Sequence, residues 1–183
     1  LLVDPVLPTW QRDLEEVKRL GLELACTLDT HIHADHITAA LQLRQRVGSR
    51  IAAPAIDGLP CVDVGIEEGT SLRLGGITVD PLHTPGHTDG HFAYRCIDHG
   101  GDRLFSGDAL LIDGCGRTDF QNGDATALYN SVTEKLFTLP DDVLVYPAHD
   151  YQHRRVSSIG QEKSRNPRLG QGRTLEEFKT IMS

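Results

Sequence analysis

The segment Thr30-His31-Ile32-His33-Ala34-Asp35-His36 constrains this chain more than any other. It sets His31, His33, Asp35 and His36 directly after an apolar run, Glu23–Leu28, that reads as a buried strand. In extended backbone alternate side chains face the same way, so His31 and His33 share a side. The turn into a following helix can bring Asp35 and His36 round to join them. Imidazole and carboxylate together suit zinc, iron or manganese better than calcium. The competing reading is a solvated helix start, with Asp35 merely a favourable first-turn charge. A lone histidine would favour that reading; the further His and Asp elements downstream argue against it.

Seven of the nine histidines lie in residues 31–36 and 83–99. His83-Thr84-Pro85-Gly86-His87 reads as a tight loop after a strand. His87 at its tip is the better ligand candidate, and His83 on the strand is expected to pack or hydrogen-bond. His91 and His99 are expected either to support the ligands or to face solvent. Ser106-Gly107-Asp108 puts a carboxylate straight after Leu104-Phe105. A lone Asp there is usually a turn residue, but its company makes it a ligand candidate. Tyr146-Pro147-Ala148-His149-Asp150-Tyr151 supplies one more strand-end histidine, His149, with Tyr151 near enough to donate a hydrogen bond beside it. Gly114-Cys115-Gly116-Arg117 reads as a loop that lets backbone approach something closely. Arg117 could clamp a substrate carboxylate, or pair with Asp113 or Asp119 to hold the loop. Cys115 is either a reactive thiol near the site or an inert small residue.

The apolar periodicity predicts helices over 10–20 (Trp10, Leu14, Val17, stopped by Gly21), 37–47 (closed by Gly48), 124–137 (Leu128, Val132, Leu136) and 175–182. It predicts hairpins over 72–74 with 77–82 and over 92–97 with 103–105, and a strand over 143–146. The metal-ligand candidates therefore each follow a strand, where sites in α/β folds gather.

A length of 183 residues fits one domain. A formal charge of −8 argues against nucleic acid or an anionic membrane as main partner. No apolar run approaches the roughly 20 residues of a membrane-spanning helix, and no signal-peptide pattern opens the chain. Cys26, Cys61, Cys96 and Cys115 form no CxxC, which points to a reducing compartment rather than a disulfide scaffold. The chain opens Leu-Leu-Val-Asp-Pro without methionine, which reads as a fragment or processed form.

HxHxDH, TPGH, SGD and PAHD in this order resemble the motif series of the metallo-β-lactamase superfamily. The resemblance covers essentially the whole chain, residues 1–183, as a single domain lacking the first N-terminal β-hairpin. It implies an α/β fold, the αββα sandwich: two facing mixed β-sheets with helices outside and metal at one edge. In the generic pattern His31, His33 and His87 hold one metal, Asp35, His36 and His149 a second, and Asp108 bridges. That inventory implies a dinuclear zinc hydrolase with two Zn²⁺, as in glyoxalase II. More closely, DTHIHADHITAA, SGDALLIDGCGRTDFQNGD, LVYPAHDY and NPRL with a terminal EEFKTIM are similar to the persulfide dioxygenases. That resemblance implies one Fe(II) per chain held by His31, His87 and Asp108, with His33, Asp35, His36 and His149 around it. It also implies glutathione persulfide and O₂ as partners, Arg117, Cys115 and Tyr151 as substrate contacts, and a bacterial cytoplasm or mitochondrial matrix as the compartment. A homodimer is compatible with it. Two departures stand out: Ser106 where the family usually carries TGDAL, and Thr88-Asp89-Gly90-His91 where the stretch is commonly TPGC-like.

Overall fold

A computed structural model describes residues 1–183, which divide into two compact units, Leu1–Glu67 and Glu68–Ser183. No helix is long and apolar enough to cross a membrane.

The first unit is built on strands β1 (Leu2–Val3), β2 (Cys26–Leu28), β3 (Arg50–Pro54) and β4 (Val64–Ile66), hydrogen-bonded in that order. Every pairing is parallel, with Leu2 opposite Thr27, Cys26 opposite Arg50 and Ala52 opposite Val64. Mixed pairing was the expectation for both sheets; here each strand is followed by a crossover, which returns the chain in the same direction. Two of those crossovers carry helices, α1 (Trp10–Arg19) and α2 (Ala40–Val47). Leu14 from α1 and Ala39 and Leu43 from the α2 region bury together with Leu24, and Trp10 and Val17 pack against them. Gly48 ends α2 at φ 74, a left-handed conformation glycine adopts without steric cost. The strand ending at Leu28 begins at Cys26 rather than at Glu23, and α2 begins three residues later than its periodicity suggests.

The second unit carries a mixed sheet: β5 (Leu72–Leu74), β6 (Ile77–His83), β7 (Phe92–Asp98), β8 (Gly101–Gly107), β9 (Leu144–Pro147) and β10 (Ser157–Ser158). Strands β5 to β8 form an antiparallel meander, β9 joins β8 in parallel, and β10 closes the other edge. The β8–β9 crossover contains α3 (Ala125–Asn130), capped by the Asp124 carboxylate, which accepts from the Ala127 amide at 2.6 Å. Its axis continues as a π-helical stretch, Ser131–Lys135, and a 3₁₀ turn, Leu136–Thr138, where a single helix over 124–137 was expected. Leu128, Val132 and Leu136 still reach the core, among Leu104, Leu110, Val145, Ile159 and Phe178. Each such side chain contributes about 1.5–3 kcal/mol by leaving water. Phe178 comes from α5 (Leu175–Met182), which follows α4 (Ile159–Arg165) and starts at a capping box of Thr174 and Glu177.

The helical crossover clamps the loop that leaves β6. The Asp124 amide donates to the Gly86 carbonyl at 2.9 Å, Ser131 Oγ to the Pro85 carbonyl at 2.8 Å, and Lys135 Nζ to the His83 carbonyl at 2.7 Å. The loop is thereby held at three carbonyls just before His87.

Candidate metal centre

In the first unit, β1 and β2 run side by side, so Asp4 lies next to the residues that follow β2. Its carboxylate accepts from the Thr30 amide at 2.7 Å, from Thr30 Oγ1 at 3.0 Å and from His33 Nε2 at 3.0 Å. Thr30 spends its only hydroxyl proton on Asp4, so at 2.8 Å its oxygen accepts from His31 Nδ1. His31 therefore carries its proton on Nδ1 and presents Nε2 as the acceptor. The same accounting leaves His33 with Nδ1 as its acceptor nitrogen. His33 Nδ1 and His36 Nε2 are buried with no hydrogen-bond partner. The ring centroids run 4.1 Å from His31 to His33 and 4.2 Å on to His36. Ligating atoms of His33, Asp35 and His36 lie within 4.8 Å of one another. Imidazole nitrogens buried as acceptors without donors are what a metal position leaves, so this donor set fits a borderline cation.

The carboxylates shape the charge here. Burial, reinforced by Asp4, pushes Asp29 up to about 7, against a hydrogen bond donated by Thr38 Oγ1 at 3.0 Å. Burial alone would pull His33 down, but the hydrogen bond and charge of Asp4, with Asp29 and Asp35, outweigh it and raise the imidazole. A cavity of about 270 Å³ lies beside these histidines, lined by His31, His33, His36, Ile37, Pro54 and Leu59.

In the second unit His87 follows β6 and Asp108 follows β8. His87 Nδ1 donates to the Arg117 carbonyl at 2.8 Å, which makes Nε2 the acceptor. That Nε2 lies 3.2 Å from Asp108 Oδ2. Two acceptors this close repel unless a proton or a metal ion is shared between them. His149 Nε2 approaches the other carboxylate oxygen at 3.7 Å, and its ring stacks on exposed Tyr151 with centroids 5.7 Å apart. The Gly114–Arg117 loop does approach something closely: a Cβ on Gly116 would fall 2.7 Å from His87 Nδ1 and 2.7 Å from the Asp108 carbonyl. Only glycine leaves room for that backbone to reach His87.

Other candidates fall as follows. His83 ends β6, packs on Phe92 and contacts the Asp89 carbonyl at 3.0 Å, as expected. His99 lies exposed in the β7–β8 turn. His91 is fully buried, so the solvent-facing option is corrected. Ser106 is buried and donates to the Leu110 carbonyl at 2.6 Å. The Arg117 guanidinium makes a bidentate pair with Asp119 at 2.7 and 2.9 Å and sits over the Phe120 ring, the loop-holding alternative. Cys115 is buried, with Sγ 3.9 Å from Met182 Sδ; burial pushes its thiol up, although Arg168 opposes this. That environment is the one the inert reading expects. Cys115 also joins Gly114, His149, Tyr151, Arg154 and Arg168 in lining a cavity of about 160 Å³. The supporting roles of Asp4 and Thr30 are not legible in the sequence, because they depend on which strands lie side by side.

The metallo-β-lactamase superfamily profile matches residues 1–149. The mitochondrial persulfide dioxygenase ETHE1 of Homo sapiens is 47% identical over 183 residues, covering 100% of this chain and 70% of that protein. The hydroxyacylglutathione hydrolase GloC of Haemophilus influenzae is 36% identical over 180 residues, covering 87% of this chain and 82% of that protein. The crystal structure of ETHE1 from Myxococcus xanthus superposes with a TM-score of 0.92 at 49% identity, covering 98% of this chain and 77% of that one. With its two sheets and attendant helices, the chain has the metallo-β-lactamase fold and belongs to the metallo-β-lactamase superfamily, within its persulfide dioxygenase family.

Proposed function

We propose that this chain is an Fe(II)-dependent persulfide dioxygenase that converts glutathione persulfide, O₂ and water to glutathione and sulfite. The observation that carries the reading is the His87–Asp108 pair, whose acceptor atoms face each other at 3.2 Å with the His87 tautomer fixed from behind. Taken with the persulfide dioxygenase relatives, it supports His31, His87 and Asp108 as the holders of one Fe(II). Two imidazoles and one carboxylate would hold the ion, and Fe(II) so held would supply the means of combining O₂ with a sulfur nucleophile. The residues of the chain would do the rest. Arg117 would bind a carboxylate of the glutathione moiety after exchanging its Asp119 partner, and the Tyr151 ring, stacked on His149, would form a wall for the same moiety. Cys115 would contribute only the buried floor of the adjoining cavity. The human relative's mitochondrial designation supports a mitochondrial compartment over a bacterial one.

The test is oxygen uptake by Fe(II)-loaded protein on adding glutathione persulfide, with sulfite measured in the same vessel. Matched uptake and sulfite are expected; folded, iron-loaded protein that consumes no O₂ refutes the proposal. For the ligands, Asp108→Ala is expected to lose iron and activity together, while His33→Ala keeps most of its iron. Equal iron loss in both variants would contradict a mononuclear centre.

One observation favours a second reading. His36 Nε2 is buried without a hydrogen-bond partner and lies with Asp35, two of the residues expected at a second metal position. Two zincs per chain with thioester cleavage would place this protein with the hydroxyacylglutathione hydrolases instead.

A further inference from the structure

His91 stands where the family pattern commonly differs, and the metal-centre reading leaves it without a task. Its ring is fully buried at the start of β7. The Asp108 backbone amide donates to its Nε2 at 3.0 Å. Its Nδ1 lies 2.8 Å from Thr84 Oγ1, and the Thr84 amide donates to the His91 carbonyl at 2.9 Å. Because Nε2 is an acceptor, the single ring proton sits on Nδ1 and is donated to Thr84. Both nitrogens are thus committed, in opposite senses, to two different elements. One is the His83–His87 loop; the other is the end of β8, where Asp108 begins.

We propose that His91 is a positioning residue, which fixes the direction of the Asp108 carboxylate by holding its backbone amide and is itself anchored through Thr84. The tie acts beside an irregular strand end: the β8 pairing with β9 shifts register between Phe105 and Gly107, Gly107 has φ 53, and its carbonyl accepts from the Ala148 amide at 3.1 Å. The ladder ends at Gly107, one residue before Asp108. Two backbone hydrogen bonds hold Asp108 beyond that point: its amide donates to His91, and its carbonyl accepts from the Gly116 amide at 2.7 Å. Groups behind a ligand that set its orientation change metal affinity even though they never touch the metal. The inference rests on Asp108 being a metal ligand.

The test compares two variants of the full chain with Co(II) as a spectroscopic probe. In His91→Gln the amide oxygen reaches the place of Nε2 and can accept from the Asp108 amide. In His91→Asn the side chain reaches only the place of Nδ1. Co(II) affinity, measured by chelator competition, is expected to stay within about threefold in His91→Gln and to fall roughly ten- to hundredfold in His91→Asn, with an altered visible spectrum in the latter alone. Thermal midpoints of the two variants should be similar, which separates positioning from stability. Equal affinities in the two variants, whether both weakened or both unchanged, overturn the role of His91. Asp108→Ala distinguishes the other failure: if it binds Co(II) as the unaltered chain does, the ligand assignment falls and takes this inference with it. Should His91→Asn fail to fold, ¹⁵N shifts of His91 in the unaltered, metal-free chain decide. An unprotonated, hydrogen-bonded Nε2 supports the tie, and a protonated Nε2 overturns it.

Discussion

Replacing Gly86 with alanine probes whether the helical crossover really dictates where His87 sits. Gly86 has φ +134, a region that costs a residue with a side chain about 1–3 kcal/mol. Its Cβ would also lie 2.2 Å from the Leu128 nitrogen, 2.4 Å from Leu128 Cα and 2.5 Å from Leu128 Cβ. Ordinary carbon contacts sit at about 3.5–4.0 Å, so α3 must retreat by at least ~1 Å. That retreat breaks the Asp124–Gly86 hydrogen bond of 2.9 Å and stretches the Ser131–Pro85 bond of 2.8 Å, each worth about 1 kcal/mol. It also unseats Leu128, which is fully buried. Together the loss is about 3–6 kcal/mol, a large part of the roughly 5–15 kcal/mol that stabilises a domain. Gly58→Ala is the control: φ is +59 there, but nothing lies within 4 Å of the added Cβ, so only the backbone cost of about 1 kcal/mol remains. Urea unfolding of both variants gives the comparison. If Gly86→Ala costs no more than Gly58→Ala, helix packing does not hold the loop.

Cys96, buried in β7, is expected to give stability a pH dependence. Burial, with Asp98 adding to it, pushes its thiol from 9.0 to about 11. A raised folded pKa means this stabilisation is complete below about pH 9 and is lost as pH climbs towards 11, because the unfolded chain ionises first. Two units at about 1.4 kcal/mol each give a loss of about 3 kcal/mol. Cys96→Ala should flatten that part of the stability profile; an unchanged slope would show the loss lies elsewhere. For Arg117→Ala, the expected result is a KM for glutathione persulfide raised roughly tenfold with iron content unchanged, since His87 is held by the backbone carbonyl and not the guanidinium. An unaltered KM would remove Arg117 from substrate binding.

Much of this was legible from local pattern. Trp10, Leu14 and Val17 mark α1, Gly75-Gly76 marks the β5–β6 hairpin, and the candidate ligands all follow strands, because these signals lie within a few residues of one another. Strands β3 and β4 and helix α4 escaped, since Ile51–Pro54 is a buried run without alternation and Ile159–Arg165 is only two turns long. The π-helical stretch escaped for another reason: Leu128, Val132 and Leu136 recur every fourth residue, which suits an uninterrupted α-helix equally well. His91 and Asp4 were the least legible. Hydropathy puts both outside, and only the pairing of β7 with β6 and β8, and of β1 with β2, gives their polar atoms partners.

The sheet order of the second unit bears on how that unit acquires its shape. Strands β5 to β8 each pair with their immediate neighbour in sequence, so short loops close first at small entropic cost. Strand β9 reaches β8 only after the whole crossover from Asp108 to Val143 has been gathered in, a late event by the same reasoning. Replacing Leu104 with alanine should therefore slow folding, whereas replacing Val145 should chiefly speed unfolding, and stopped-flow chevrons of the two variants would separate them. The Asp108 end of β8 then exists as a ragged strand terminus before His149 is delivered beside it. A partly folded chain in which β9 has not docked would accordingly lack His149 beside Asp108.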